Sequence, residues 1–281
     1  MILIADSGSS KTDWRTIDIN GDIGQIKTVG FNPYYQGLEE MAKELMQTDL
    51  ISIKDKVTEI FYYGAGCSNP KNKVIVEQAL LRIFPSVPIH VDHDLMAAAR
   101  ATCGRQKGIA CILGTGSNSC DYDGENIVDT RPAPGFILGD EGGGAYIGRQ
   151  FLHDYIYDEM PAHIKEMVTA EYHLTNFEIQ ENVYQKPFPG RYMATFCKFL
   201  HAHKNDPYCY GLFHKAFHDF FAKHVMKYQD YQSKQVNFVG SIAYYNNDIL
   251  RKVASELDIH VNLTIESPIA GLTLYHKEMI L

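Results

Sequence analysis

The chain has 281 residues, of which 45% are hydrophobic and 21% are charged, as in an ordinary globular protein. Its net charge of −8 disfavours binding to nucleic acid, and no run approaches the roughly 18 apolar residues that a membrane-spanning helix needs. Because Met1 leads directly into an apolar segment without a basic leader, we expect a cytoplasmic protein that binds neither nucleic acid nor membrane. The six cysteines form no C-x-x-C pair, so we expect them to be reduced and structural.

The first third of the chain alternates between strand and helix patterns. Strands are predicted at 2–5, 14–19, 60–63 and 89–91, and helices at 38–46, 73–84 and 95–103. Asn20-Gly21 predicts a tight hairpin between two of the strands. This alternation is typical of a mixed α/β lobe.

The same order of elements begins again after Gly108. A strand at 109–113, the polar loop Gly114–Asn118, a second strand and the turn Asp123-Gly124 repeat the pattern of the beginning. A helix near Glu141, a polar and aromatic region, a helix at 212–228, a strand at 236–239 and a helix at 269–276 follow. We therefore predict a duplicated α/β protein with an N-terminal lobe at 1–106 and a C-terminal lobe at 107–267, the segment 268–281 being a candidate to pack back on the first lobe.

Two small-residue loops are candidate phosphate sites. The loop Asp6–Thr12 joins two strands, so it is neither a P-loop nor a Rossmann turn, both of which precede a helix. Backbone amides around Gly8 and nearby hydroxyls can bind an anion, and Asp6 can hold a hydrated Mg²⁺. One such loop could be a plain polar turn. Since Gly114–Asn118 has the same character, we expect the two hairpins to bind a polyphosphate from both sides, with Gly8 and Gly116 across a common gap.

Asp94 is the candidate general base. It follows the strand at 89–91 and precedes a helix, where an aspartate can be simply an N-cap. Phosphoryl transfer to an alcohol needs a carboxylate that accepts the hydroxyl proton close to the γ-phosphate. Asp94 suits that role, and Asp92 is the second choice.

Glycines surround two acids in the segment 135–144. Such a density of glycine before a helix indicates a close backbone approach, either to a ligand or to the protein itself. Asp140 could accept hydrogen bonds from sugar-type hydroxyls. Asn32 is a second candidate for this contact, with a plain turn residue as the alternative.

Two histidine patterns raise the alternative of a zinc site. His90 stands close to Asp92, His93 and Asp94, and His214 and His218 have the i, i+4 spacing of zinc pairs. Neither pattern has the companion ligands that a zinc site requires, so the sequence disfavours one.

Taken together, these motifs resemble the sugar-kinase, heat-shock ATPase and actin superfamily, and within it the N-acetylglucosamine kinase branch of the family that also contains the BadF-type ATPases. Asp6–Thr12 and Gly114–Asn118 stand at the two phosphate motifs, Phe238–Ser241 stands at the adenosine motif, and Gly139–Gly142 matches a block distinctive of the branch. The resemblance implies a two-lobe actin-like ATPase fold of the ribonuclease H-like type, with duplicated βββαβα lobes. It also implies transfer of a phosphate from ATP, with Mg²⁺, to an amino-sugar hydroxyl, with N-acetylglucosamine and its 6-phosphate as the first choice.

The resemblance also assigns roles to individual residues. It makes Asp94 the base, Asp6 the metal residue, and the following the ATP contacts: Gly8, Ser10, Lys11, Thr12, Thr115, Gly116, Gly240 and Ser241. The expected sugar contacts are Asn32, Ser117, Asn118, Gly135 and Asp140.

The sequence departs from the family pattern at two places. Ser7, Ser9 and Ser10 replace the usual Gly, Gly and Thr, and 132–135 replaces a Gly-Gly-Trp-Gly block. N-acetylmuramic acid and glucosamine therefore stay open as acceptors. A BadF-type activator is a further alternative, although the cysteines lack the spacing its shared iron–sulfur cluster requires. A sugar-binding regulator is disfavoured, because a first strand at Ile2 leaves no room for a preceding DNA-reading module. A homodimer is also left open.

Overall fold

A computed structural model describes residues 1–8 and 11–278. Ser9 and Ser10, the latter predicted to contact ATP, lie outside the described residues. The strands are β1 (Ile2–Ser7), β2 (Lys11–Ile17), β3 (Ile23–Val29), β4 (Glu59–Gly64), β5 (Ile89–His93), β6 (Gly108–Leu113), β7 (Ser117–Tyr122), β8 (Ile127–Thr130), β9 (Val236–Val239) and β10 (Val261–Ile265).

The α-helices are α1 (Leu38–Leu45), α2 (Pro70–Leu81), α3 (Asp94–Cys103), α4 (Gly144–Ile156), α5 (Ala162–Tyr172), α6 (Asn176–Tyr184), α7 (Pro189–Thr195), α8 (Cys197–Ala202), α9 (Pro207–Lys223), α10 (Ser241–Tyr245), α11 (Asn247–Glu256) and α12 (Ile269–Lys277). Among the described residues, no helix has both the length and the apolar character needed to cross a bilayer.

The chain divides into two compact units. Unit 1 comprises residues 1–106, the turn 124–126 and the described residues from Ser267 onward. Unit 2 comprises residues 107–123 and 127–266. Each unit contains one five-stranded mixed sheet, which agrees with the duplicated α/β architecture expected from the sequence.

The sheet of unit 1 has the strand order β3-β2-β1-β4-β5. β1 pairs antiparallel with β2 and parallel with β4, and β4 pairs parallel with β5. Since parallel strands end at the same edge of a sheet, this edge receives the ends of β1, β4 and β5. In the register, Ser7 is paired with Gly64, and Gly64 is paired with His93.

Apolar side chains cover both faces of this sheet. On one face, Leu3, Trp14 and Tyr62 are buried in a cluster with residues of α1 and α2. On the other face, α12 contacts α3, β1 and β2. His276 of α12 stacks on Phe61 of β4, with their ring centroids 4.0 Å apart.

The sheet of unit 2 has the strand order β10-β9-β6-β7-β8. β6 pairs antiparallel with β7 and parallel with β9, so the ends of β6 and β9 lie at one edge. The core is rich in aromatic rings; Phe151, Phe213, Phe217 and Phe220 are fully buried in it.

Three sequence expectations for unit 2 need correction. The helix expected at 212–228 is α9, which begins five residues earlier at Pro207 and ends at Lys223, before a short 3-10 turn at Val225–Lys227. Its start is fixed by Asp206, whose side chain accepts a hydrogen bond from the Tyr208 amide. The helix expected near Glu141 begins at Gly144. The polar and aromatic region contains four helices, α5 to α8.

Candidate functional site

The first phosphate hairpin connects β1 to β2 in unit 1. The Gly8 amide donates to the Lys11 carbonyl at 3.0 Å. Behind the turn, the Ser7 and Thr12 hydroxyls are 2.7 Å apart, and Thr12 also donates to the Val29 carbonyl at 3.1 Å. Thr12 is fully buried, so its hydroxyl joins the hairpin to β3. Gly8 and Lys11 are exposed at the turn, where an anion can reach them.

Asp6 carries a carboxyl that is held mostly away from water at the end of β1. The Ser267 hydroxyl donates to it at 3.2 Å. Burial, together with the nearby carboxylates of Asp13 and Asp94, raises the pKa of Asp6 to about 7. A buried carboxyl that resists ionisation beside other acids is suited to a hydrated divalent cation, whose charge would compensate the negative charge of the group.

Asp94 is the first residue of α3 but not its N-cap, which corrects one reading of the sequence. The cap is His93, whose Nδ1 accepts a hydrogen bond from the Met96 amide at 3.4 Å. Asp94 is therefore not needed to cap the helix by its side chain. Its carboxyl is half-buried, and burial raises its pKa above the ordinary value of 3.8.

Asp92, the second choice for the base, is already engaged. Lys73 forms an ion pair with its Oδ1 at 2.8 Å, and the same oxygen accepts a hydrogen bond from the His93 amide at 2.9 Å. Asp94, in contrast, forms no ion pair within the described part of the chain. The contacts thus favour Asp94 over Asp92 as the candidate base, a choice that the sequence alone expressed only as an order of preference.

Asn32 is a buried side chain in the loop after β3. Its Oδ1 accepts a hydrogen bond from the Tyr34 amide at 3.0 Å, and the backbone N–H of Asn32 donates to the Gln36 side-chain oxygen at 3.1 Å. Gly66 packs so closely that a Cβ there would lie 2.6 Å from Asn32 Oδ1. Gly66 also has φ of +82°, which favours glycine. The sequence showed Gly66 only as the end of a strand and gave no sign of this contact.

The second phosphate hairpin connects β6 to β7 in unit 2 and is joined to the start of α4. The Gly144 and Ala145 amides donate to the carbonyls of Gly114 and Thr115, both at 2.8 Å. A Cβ on Gly143 would lie 2.7 Å from the Gly116 carbonyl carbon, so only glycine fits there. Gly143 therefore allows close packing against the hairpin, which is the alternative that the sequence left open to a direct ligand contact. Thr115 is exposed at the turn.

Asp140 contacts this hairpin directly. Its Oδ1 accepts a hydrogen bond from the Ser117 amide at 3.2 Å, and a Cβ on Gly116 would lie 2.8 Å from its Oδ2. Its φ of +59° is unusual for a residue other than glycine, although aspartate tolerates it. Burial raises the pKa of its carboxyl. The neighbouring Glu141 points elsewhere, forming an ion pair with Lys223 at 2.6 Å.

The other sugar candidates in unit 2 lie around Asp140. Ser117 is buried, and its Oγ has no hydrogen-bond partner among the described residues, so it is available to a ligand hydroxyl. The Asn118 side chain accepts a hydrogen bond from the Ser119 amide at 2.9 Å. Gly135, with φ of +83°, begins a turn in which its carbonyl accepts from the Gly139 amide at 2.8 Å.

Residues 132–135, which stand where the family has a Gly-Gly-Trp-Gly block, pack against the turn that follows them. Pro134 packs on Gly139, where a Cβ would lie 2.7 Å from its ring, and Arg149 donates to the carbonyls of Phe136 and Ile137 at 2.9 and 3.0 Å. The exposed side chains of this turn are aliphatic: Ile137 is 69% exposed and Leu138 is 78% exposed. An aromatic sugar contact from 132–135 is absent.

The adenosine motif lies at the end of β9. Gly240 has φ of +121° and donates to the Ile265 carbonyl at 3.0 Å, and it packs directly on the Leu113 carbonyl of β6. Ser241 is exposed and begins α10. The adenosine motif and the second phosphate hairpin thus lie at the same edge of the unit 2 sheet.

The histidines that raised a zinc alternative have other partners. His90 bonds to Glu59 and His214 bonds to Glu256, with nitrogen-to-oxygen distances of 2.9 and 2.8 Å. All six cysteines are free thiols, and Cys103 alone among them is not buried.

Comparison with known proteins identifies relatives of the whole chain. A structure from Porphyromonas gingivalis, provisionally named an N-acetylglucosamine kinase, is 37% identical, with full coverage of both chains and a TM-score of 0.94. A structure from Chromobacterium violaceum, provisionally named in the same way, is 18% identical over 98% of each chain, with a TM-score of 0.70, and supports the fold. No protein-family model matches the chain.

One curated protein is also similar. The N-acetyl-D-glucosamine kinase of Dictyostelium discoideum is 25% identical over 163 residues, which are 52% of this chain. The match spans about half of that relative, 51% of its length. The full-length match to the Porphyromonas gingivalis structure and the two five-stranded sheets confirm both the resemblance and the actin-like ATPase fold expected from the motifs. The chain belongs to the N-acetylglucosamine kinase family.

Proposed function

We propose that the protein transfers the γ-phosphate of ATP to a hydroxyl of an amino sugar, with N-acetylglucosamine and its 6-hydroxyl as the first choice. The name of the 37% identical relative supports this substrate class. The mechanism is inferred chiefly from Asp94. Its carboxyl is half-buried and has a raised pKa, and it forms no ion pair among the described residues. It lies in the first turn of α3.

Asp94 acts as the general base in this proposal. A base works best when its pKa approaches the working pH, and burial moves the pKa of Asp94 in that direction. Asp92 could not serve equally well, because its Oδ1 is already bound to Lys73 at 2.8 Å and to the His93 amide at 2.9 Å.

Backbone amides and hydroxyls of the two hairpins bind the phosphates. In phosphoryl transfer most of the rate comes from positioning and from neutralising charge, so rigid loops are of more use than reactive side chains. The second hairpin is rigid because α4 and Asp140 contact it from two sides.

Asp6 would hold Mg²⁺ through water, with the negative charge of Asp94 and Asp13 nearby. The bound ion would supply positive charge next to the transferred phosphate. The raised pKa of Asp6 fits this assignment, since a carboxyl surrounded by like charges gains most from a cation.

The amino sugar is held by short polar side chains. Asp140 and Asn32 offer oxygens to its hydroxyls, and the unpartnered Ser117 hydroxyl offers a further donor or acceptor. Asn118 and Gly135 complete the proposed set.

The test is a coupled ADP-release assay on Asp94→Asn, with Asp92→Asn as the matched control two positions away. We expect Asp94→Asn to lower kcat by roughly 100- to 10,000-fold while ATP binding is kept, and Asp92→Asn to keep most of the activity. Near-normal turnover of Asp94→Asn would refute its role. The wild-type assay includes N-acetylglucosamine, N-acetylmuramic acid and glucosamine, and activity on none of them would refute the proposed substrate class.

A further inference from the structure

A cavity of about 420 Å³ lies beside the edge strand β5 of unit 1. It is lined by side chains of β4, β5 and α3: Phe61, Tyr63, His90, Val91, Asp92 and Arg100. None of these is assigned a part in the proposed reaction. The volume falls within the range of roughly 300 to 1,000 Å³ that is usual for small-molecule sites.

Arg100 is the main charged group of this cavity. Its Nη1 donates to the Tyr63 hydroxyl oxygen at 2.6 Å, while its Nε is buried and has no partner within the described chain. Arg100 forms no ion pair with any carboxylate of residues 1–8 and 11–278. The guanidinium carbon lies 5.7 and 5.4 Å from the ring centroids of Tyr63 and Tyr275, so aromatic faces, rather than a paired carboxylate, compensate part of its desolvation.

The groups behind Arg100 are also donors. Since Tyr63 accepts from Arg100, its own proton is left for His276 Nε2, at 2.9 Å. Burial lowers the pKa of His276 to about 3, so the ring is neutral and its Nδ1 carries a hydrogen. That Nδ1 is buried and has no partner in the described part of the chain. Two buried nitrogens of this group, Arg100 Nε and His276 Nδ1, therefore have no acceptor among the described residues.

The acid at the rim acts on two cations. Asp92 is paired with Lys73 at 2.8 Å, and although burial opposes the Arg100 charge, Tyr63, Tyr275 and Asp92 outweigh burial and raise the pKa of Arg100. His90, half exposed on the other side, is bonded to Glu59 at 2.9 Å, and its ring stacks on Phe61 with centroids 4.9 Å apart. The lining thus combines an arginine that has no ion pair in the described chain with the exposed ring of His90.

We propose that this cavity binds a small organic phosphate, with the phosphate oxygens on Arg100 and the carbon body against the His90 ring. The guanidinium fork matches phosphate oxygens in geometry and charge. The volume leaves room for a body of monosaccharide size beside the anion. This site is separate from the residues that the proposed kinase reaction uses, so the two proposals can fail independently.

Isothermal titration calorimetry on the full chain tests the proposal, with glucose 6-phosphate as the probe and inorganic phosphate and glucose as comparison ligands. The chain for titration carries Lys11→Ala and Thr115→Ala, which weaken the proposed nucleotide site. We expect saturable binding of glucose 6-phosphate, at least tenfold tighter than that of either comparison ligand.

Arg100→Gln should weaken binding at least tenfold, whereas the matched control Arg105→Gln, an arginine that does not line the cavity, should leave it unchanged. His90→Trp, which fills the cavity from its exposed rim and leaves Arg100 intact, should also abolish binding and keeps the test valid if Arg100→Gln fails to fold.

Three results would overturn the proposal: no saturable binding of glucose 6-phosphate, equal binding by Arg100→Gln, or binding of glucose as tight as that of its phosphate. Equal affinity for inorganic phosphate would overturn the assignment of an organic body.

Discussion

Asp6→Asn is expected to make the protein more stable at alkaline pH while it removes the proposed metal residue. The change keeps the size of the side chain and an oxygen that can accept the hydrogen bond from Ser267, but it removes the charge. Stability and proposed function therefore oppose each other at this one position.

The size of the effect follows from the pKa of Asp6, which burial and neighbouring acids raise from 3.8 to about 7. At about 1.4 kcal/mol for each pKa unit, ionising this carboxyl costs the folded state up to roughly 4 kcal/mol. Below pH 4 the carboxyl is protonated in both states and there is no cost. Between pH 4 and pH 7 the folded state holds the proton more tightly, so the free energy of unfolding falls as pH rises, and above pH 7 the full cost applies.

Urea unfolding at pH 4, 6 and 8, with a chelator present, measures this directly. Asp6→Asn should gain stability over the wild type at pH 8 and lose the gain at pH 4. Asp22→Asn, which changes an exposed carboxyl in the turn at 18–22, serves as the control and should show no such trend. A gain that is equal at pH 4 and pH 8, or no gain at pH 8, would refute the reasoning. Adding Mg²⁺ should then stabilise the wild type but not Asp6→Asn.

Two further substitutions, one of them with a control, test the packing of Gly143 and the ion pair of Glu141. Gly143→Ala puts a Cβ 2.7 Å from the Gly116 carbonyl carbon, so it should lower stability by about 1–3 kcal/mol and raise KM for ATP, as urea unfolding and the ADP assay would show. Gly211→Ala, in a helix with open space around it, should instead stabilise by about 0.5–1 kcal/mol, and equal effects of the two changes would contradict the steric reading. Glu141→Gln weakens the ion pair with Lys223 and should cost about 1–2 kcal/mol at pH 7. Burial opposes the Glu141 charge, yet Lys223 outweighs it and lowers the pKa, so the difference should vanish only as pH falls below that lowered pKa; a difference that persists in strong acid would argue against an electrostatic origin.

The sequence predicted the architecture well where the pattern was periodic and bounded by turn residues. The strands at the beginning of each unit and the helix at 269–276 are found within a few residues of their expected bounds. The block Gly139–Gly142 together with the loop Gly114–Asn118 pointed to the family, whereas either phosphate loop alone is a weak signal.

Side-chain partners could not be predicted in the same way. His93 rather than Asp94 caps α3, and Lys73 reaches Asp92 from nineteen positions away. The helices between residues 157 and 206 were missed because they are short and lack a strong apolar stripe: α5 buries Ile164 and Val168, and α6 buries Ile179. Contacts between distant segments, not local pattern, decide such details.

The placement of α12 in unit 1 bears on how the protein is made. Phe61 and Tyr63 are covered by His276, a residue more than two hundred positions later in the chain. During synthesis the first 106 residues therefore emerge before the helix that covers Phe61 and Tyr63, although α3 already contacts the sheet. We expect the nascent chain to expose this part of the sheet, an apolar surface open to aggregation, until α12 has been synthesised.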